Sequence, residues 1–244
     1  METVPGVNGM LLNVDVGEGI GNEREILPYV HLANIACGAH AGSPSTMRET
    51  VRLCQEFGVQ IGAHPGWPDR EHFGRRPLPI SPPALGKTLR EQIGLLQEIC
   101  RDENAELRHV KLHGALYHQA ANDPVAIAVL VDVISCYPDL AIILPPNSLL
   151  FQRMKESGRK VLREGFADRR YAKDGGLISR CFPGAILSPP EAAVQAGRLL
   201  KGYVEGEGAM LPLRVDTLCV HGDHPEARKV LQEVNLALWG SPRA

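Results

Sequence analysis

The sequence lacks several features that would assign it at once to a class of protein. Its six cysteines are scattered and include no Cys-x-x-Cys pair, which argues against a zinc ribbon or a disulfide framework. No apolar run reaches the length of a bilayer-spanning helix, and no basic region with an apolar core opens the chain. We therefore expect a cytoplasmic protein with no signal peptide and no membrane partner.

The chain also lacks an excess of charge of either sign. It has 26 Lys and Arg against 28 Asp and Glu, for a formal net charge of -2. This balance gives no reason to expect nucleic acid or an anionic membrane as a partner. The 244 residues, 44% apolar and 22% charged, are ordinary for a globular protein and suffice for one barrel-sized domain or two small ones.

Two nucleotide-binding motifs are incomplete. Leu85-Gly86-Lys87-Thr88 resembles the end of a phosphate-binding loop, but Ser81 stands where that loop needs its first glycine. Ser81-Pro82-Pro83 also marks the start of a helix, whereas the loop should follow a strand. The stretch 165–176 makes no dinucleotide fingerprint, so the chain has no recognisable phosphate loop of its own.

Short apolar runs alternate with amphipathic segments along the whole chain. Predicted strands cover 10–16, the start of 33–42, 59–64, 107–113, 140–144, 160–167 and 217–221. Predicted helices cover 23–31, 43–57, 81–100, 123–133, 188–203 and 224–238. Ser43 and Ser188 are predicted N-caps, each followed by proline at the first helical position. The alternation predicts a parallel α/β sheet in one domain, residues 1–244.

Nearly every predicted strand ends in polar side chains. These are Asp15 and Glu18, His40, His64, Lys111 and His113, Asp168 and Arg169, and His221 and Asp223. Closure into a barrel is favoured because one central site would then collect them, and a doubly wound open sheet is the alternative. We predict a seven-stranded parallel (β/α) barrel, TIM-barrel-like, with its site at the carboxyl ends of the strands.

Titratable groups in one cleft shift each other's pKa values and can divide acid and base roles. Each strand-end histidine taken alone could instead be a core residue bonded to a backbone carbonyl. Asp15, His40 and His64 offer a carboxylate and two imidazoles, which is a candidate set for a metal whose presence stays unknown. Arginine pairs in the loops 73–76 and 167–171 suit a carboxylate or phosphate ligand, or are simply solvated.

These motifs resemble the LamB/YcsF family over nearly the whole chain, from Asn13 to about Pro225. The matching segments are 12–18, 33–42, 61–65, 73–76, 109–117, 166–171 and 220–223. The resemblance implies a barrel related to those of glycoside hydrolases and polysaccharide deacetylases. It also implies ATP-dependent opening of 5-oxoproline to glutamate, with ATP as co-substrate and two partner subunits, B and C. Whether the chain forms a homo-oligomer is left open.

The implied chemistry divides the work between subunits. Because the chain has no phosphate loop, the partners are expected to phosphorylate the lactam, and this chain to hydrolyse it. Asp15 or His64 would be the general base, and Lys111 and His113 would stabilise oxygen charge. Arg169 or Arg180 would bind the substrate carboxylate. The other predicted catalytic residue is His40, and the other predicted substrate-binding residues are Asn13, Glu18, Asp168, His221 and Asp223.

Two other functions compete with this hypothesis. A metal-dependent deacetylase or amidohydrolase of the related barrel type would use the candidate metal set. A non-catalytic subunit would only bind the lactam and deliver it to its partners, although a carrier has little need of so many titratable groups.

Overall fold

The computed structural model describes residues 9–241 and contains a closed barrel. The strands are β1 (Leu11–Val16), β2 (Leu32–Ala36), β3 (Gln60–His64), β4 (Leu107–Lys111), β5 (Ala141–Leu144), β6 (Val161–Phe166), β7 (Tyr203–Gly206), β8 (Ala209–Pro212) and β9 (Thr217–Val220). Strands β1 to β6 and β9 are parallel neighbours around the barrel. Strands β7 and β8 form an antiparallel hairpin outside it, which the sequence analysis missed.

The last barrel strand closes the ring. Leu218 of β9 pairs with Leu12 of β1 on one side and with Gly165 of β6 on the other. An open sheet would leave one edge of each outer strand unpaired. The predicted seven-stranded barrel is therefore confirmed, and the open-sheet alternative is excluded.

Helices follow the strands and cover the barrel. They are α1 (Glu23–Ile26), α2 (Pro44–Glu56), α3 (Pro82–Asp102), α4 (Gly114–Asn122), α5 (Pro124–Ser135), α6 (Leu149–Glu156), α7 (Pro189–Leu200) and α8 (Ala227–Trp239). Ser43 Oγ accepts a hydrogen bond from the backbone N–H of Thr46 at 3.2 Å, and Ser188 forms a capping box with Glu191. Both predicted N-caps are thus confirmed.

Some predicted boundaries are wrong. Strand β4 ends at Lys111, so His113 lies beyond the strand, at the N-cap of the missed helix α4. The ladder stops there because Pro65, which follows β3, has no N–H to donate, although the backbone N–H of His113 still donates to the carbonyl of Pro65 at 2.8 Å. The last helix begins at Ala227 and not at His224, whose ring accepts the backbone N–H of Glu226 and holds the preceding turn.

The two faces of β1 separate the hydrophobic core from the barrel interior. Leu12, Val14 and Val16 are buried in the core. Asn13 and Asp15, which alternate with them, contact Lys111 from β4 inside the barrel. The alternation of side chains along a strand therefore carries polar groups into the barrel.

Two predictions concern the ends of the chain. Residues 1–8 and 242–244 lie outside the described part of the chain, so the extent of the domain over 1–244 stays a prediction. The expected absence of a signal peptide concerns the N-terminus, and residues 1–8 there are also outside the described part. Within residues 9–241, none of the helices has both the length and the apolar content needed to cross a membrane.

Candidate active site

A layer of neutral polar side chains lies beneath the mouth of the barrel. Asn13 Oδ1 accepts a hydrogen bond from Asn34 Nδ2 at 2.9 Å, and His109 Nε2 lies 2.9 Å from Asn34 Oδ1. A Cβ atom at Gly62 would lie 2.0 Å from His109 Nε2, so only glycine leaves room for this ring. Asn34 and His109 were not predicted as site residues, although each is a polar residue within a buried strand.

Lys111 is the centre of the charged layer above. Its side chain is 3% exposed, and its Nζ lies 2.9 Å from both Asp15 Oδ1 and Glu164 Oε1. Burial alone would lower the pKa of Lys111, but Asp15 and then Cys219 and Glu164 hold it well above its usual range. Lys111 is thus a buried cation between two carboxylates.

Asp15 is held ionised by its neighbours. Burial would raise the pKa of this carboxyl, but His64 and Lys111 keep it well below its usual range. Its Oδ1 accepts from Asn34 Nδ2 at 2.8 Å, and its Oδ2 lies 3.5 Å from His64 Nε2. Glu164, on the other side of Lys111, is buried on β6 and was not predicted.

Three histidines and Glu18 form a second cluster beside Asp15. His64 Nε2 lies 3.0 Å from His113 Nδ1, and the rings of His40 and His113 stack with centroids 3.7 Å apart. Glu18 Oε1 is 3.4 Å from both His40 Nε2 and His113 Nδ1. Burial, with a further contribution from Asp15, raises the pKa of Glu18 to about 7.

A rim of ion pairs surrounds these two clusters. Asp168 accepts hydrogen bonds from the backbone N–H of His221 at 2.8 Å and from its Nδ1 at 3.0 Å. Burial would raise the pKa of Asp168, but His221 outweighs it and lowers that pKa to about 2. Arg180 Nη1 donates to both carboxylate oxygens of Asp223, at 2.8 and 3.0 Å.

The loop arginines divide between the site and the surface. Arg75 joins the rim through a 2.5 Å ion pair with Asp223, and Arg169 is largely buried and donates to the carbonyl of Ile178 at 2.7 Å. Arg76 contacts His72, and Arg170 pairs with Glu191 on the surface. One arginine of each predicted pair therefore belongs to the barrel mouth.

A cavity of about 440 Å³ lies between the clusters and the rim. The predicted site residues that line it are Asp15, Glu18, His64, Lys111, His113, Arg169, Arg180, His221 and Asp223. The other three contact residues of this lining: Asn13 through Lys111, His40 through His113, and Asp168 through His221. The structure therefore brings all the predicted site residues to one end of the barrel.

The predicted metal set is only partly grouped. His40 and His64 lie together, but the carboxylate that completes a compact set of ligand atoms with them is that of Glu18, and His113 also belongs to it. Asp15 is instead engaged by Lys111 and Asn34. The lining residues Tyr117, His118 and Phe166 were missed as site residues.

Comparison with known proteins identifies the family. A model of the LamB/YcsF family matches residues 10–241 of the chain. The chain belongs to the LamB/YcsF family. This LamB/YcsF protein is 47% identical over 236 residues to the 5-oxoprolinase A subunit of Symbiobacterium thermophilum, covering 93% of this chain and 90% of that protein. It is 45% identical over 225 residues to the 5-oxoprolinase A subunit of Chloroflexus aggregans, covering 88% and 89% respectively.

A solved structure agrees with the barrel. The lactam utilization protein from Thermus thermophilus superposes with a TM-score of 0.87 and 40% sequence identity. The match covers 94% of this LamB/YcsF chain and 95% of the other. The resemblance predicted from the strand-end motifs is therefore confirmed at the level of family and fold.

Proposed function

We propose that this LamB/YcsF protein is the A subunit of an ATP-dependent 5-oxoprolinase and opens the ring of 5-oxoproline to give L-glutamate. The names of the relatives support the substrate class. The observation that carries the proposal is Lys111, held as a cation by Asp15 and Glu164 against the cavity. Such a cation is suited to stabilising negative charge that develops on a reacting oxygen.

The chemistry accounts for the use of ATP. A lactam amide is a poor electrophile, and transfer of a phosphoryl group to its oxygen makes the carbon more reactive. Water then adds to this carbon and gives up a proton to a general base. The carbon–nitrogen bond breaks and the nitrogen is protonated, which leaves an acyl phosphate that a second water hydrolyses to glutamate and phosphate.

We assign residues to these reaction steps by their positions around the cavity. Asp15 is the general base, because it is ionised and its Oδ2 lies on the side of His64. Lys111 stabilises the oxygen charge, Arg180 binds the carboxylate of the substrate, and His113 lines the cavity beside them. In this proposal, ATP is bound by two partner subunits, B and C, because the chain has no phosphate loop of its own, and the complex is cytoplasmic.

The test is glutamate release from 5-oxoproline and ATP, measured with this chain alone and with its partner subunits. We expect ATP-dependent release from the complete complex and none from any isolated component. No release from a complex verified by size exclusion would refute the proposal.

The two competing hypotheses give different results in the same assay. A metal-dependent deacetylase or amidohydrolase would hydrolyse an amide without ATP and lose activity with a chelator. A lactam-binding carrier would retain full turnover in the complex when Asp15 or Lys111 is replaced, provided that the lactam still binds.

A further inference from the structure

Two histidines at the barrel mouth, His64 and His113, face each other through ring nitrogens. His64 Nδ1 lies 2.8 Å from the carbonyl oxygen of Lys111, and His113 Nε2 lies 2.8 Å from that of Phe73. A carbonyl only accepts, so each of these nitrogens carries the hydrogen of its ring. In the neutral rings, which are the forms that bind a metal, the other two nitrogens, His64 Nε2 and His113 Nδ1, carry lone pairs, and they lie 3.0 Å apart.

Two further acceptors converge on the same point. Glu18 Oε1 lies 3.4 Å from His113 Nδ1 and 4.0 Å from His64 Nε2. His40 Nε2 also lies 3.4 Å from Glu18 Oε1. Within residues 9–241, neither Glu18 Oε1 nor either ring nitrogen of His40 has a hydrogen-bond partner, although all of them are buried. Buried polar atoms without partners are costly, so this cluster needs a cation to satisfy it.

The spacing of these atoms fits a tetrahedral ion. With zinc–ligand distances near 2.0–2.1 Å, neighbouring ligand atoms of a tetrahedron are separated by about 3.3 Å. The separations of 3.0, 3.4, 3.4 and 4.0 Å between these atoms scatter around this value. We propose that Glu18, His40, His64 and His113 form a binding site for one divalent cation of the zinc type.

The surroundings hold the rings as a metal site requires. Ligating histidines commonly donate their second N–H to a carbonyl, as His64 and His113 do here. A Cβ atom at Gly74 would lie 2.9 Å from both His113 Cδ2 and His40 Cβ, so glycine allows the two rings their close approach. Such support fixes the orientation of the ligands before an ion arrives.

The ligands are not equivalent. The rings of His40 and His113 are parallel to within 1°, so one ion cannot lie in both ring planes at once. In the described part of the chain, His40 has no hydrogen bond to hold its ring, and it must tilt out of the stack to reach the ion. Glu18, His64 and His113 are therefore the principal ligands, and His40 completes the shell.

The purified chain is first treated with a chelator, and the chelator is removed. Zn²⁺ is then titrated into it, and binding is measured by isothermal titration calorimetry. We expect one ion per chain. Glu18→Gln, which keeps the size of the side chain, and His64→Ala should each weaken binding at least about a hundredfold, and His40→Ala about tenfold. His72→Ala, a histidine outside the cluster, is the matched control and should bind as the wild type does.

The outcomes separate this site from the proposed function, because the titration uses the chain alone and needs neither lactam nor ATP. Absence of a stoichiometric Zn²⁺ site in the wild type would overturn the proposal and indicate that a proton shared by His64 and His113 occupies the cluster. Unchanged binding in folded Glu18→Gln would also overturn it. Circular dichroism shows which variants are folded, and Glu18→Gln decides the matter should His64→Ala fail to fold.

Discussion

Replacing Lys111 by methionine removes the positive charge between two buried carboxylates, Asp15 and Glu164. Each carboxylate lies 2.9 Å from Nζ, and the lysine side chain is 3% exposed. Removing one partner of a buried ion pair costs about 3–5 kcal/mol, because the remaining charge has no compensation. We expect Lys111→Met to lower the free energy of unfolding by this amount, measured by urea denaturation.

The same substitution tests catalysis. If Lys111 stabilises charge on the reacting oxygen, its loss should lower turnover of the assembled complex at least about tenfold, which corresponds to about 1.4 kcal/mol. The assay is glutamate release under conditions where circular dichroism and size exclusion show a folded, assembled variant. Lys87→Met, on the exposed face of α3, is the control and should change neither stability nor turnover.

A double variant separates the two effects. Lys111→Met with Glu164→Gln removes one positive and one negative charge, so the cluster keeps its net charge. We expect the double variant to regain at least about 2 kcal/mol of the lost stability, because no pair of uncompensated carboxylates remains. Its turnover should stay low. Near-normal turnover in folded Lys111→Met would refute the reasoning and remove β4 from the active site.

Three further predictions follow from close contacts in the site. His113→Ala should lower turnover of the complex at least about tenfold, measured by the same assay. Gly62→Ala should destabilise the protein by about 1–3 kcal/mol, because the new methyl group would lie 2.0 Å from His109 Nε2. Asp168→Asn should remove about 2–3 kcal/mol of stability at neutral pH, because the pKa of Asp168 lies near 2 in the folded protein and nearer 4 in the unfolded chain.

Each of these predictions has a control. Leu112→Val, beside His113, should act mainly on stability and not on turnover. Gly197→Ala adds a methyl group that meets no atom of the described residues within 4 Å, and it should not destabilise helix α7. A depressed pKa contributes stability above the unfolded pKa, and this is lost as the pH falls through the folded pKa. The difference between wild type and Asp168→Asn should therefore shrink from about pH 4 to about pH 2, and a constant difference would contradict the assignment.

The repeated strand ends made the barrel predictable. Each strand is a short apolar run with polar residues at its carboxyl end, and closure necessarily gathers such ends in one place. Asp15 and Lys111 could be placed in one site for this reason. That Lys111 also contacts Glu164 could not be predicted, because it depends on the register of strands far apart in the sequence.

The remaining differences have local causes. His113 lies beyond the strand because the residue facing this point on the neighbouring strand, Pro65, has no N–H to donate to the ladder, and this pairing depends on residues distant in sequence. Helix α4 is short, and its apolar stripe is too weak to be distinguished from a loop. The contact of Glu18 with the histidine cluster could not be predicted either. Glu18 lies beyond the end of β1, and the turn there places its carboxylate beside three histidines.

The most direct test of the central claim is a crystal structure of the assembled complex with 5-oxoproline bound. We predict the lactam in the cavity of the barrel mouth, with its ring carbonyl toward Lys111 and its carboxylate toward Arg180. A lactam bound only to one of the partners, with this cavity unoccupied, would contradict it.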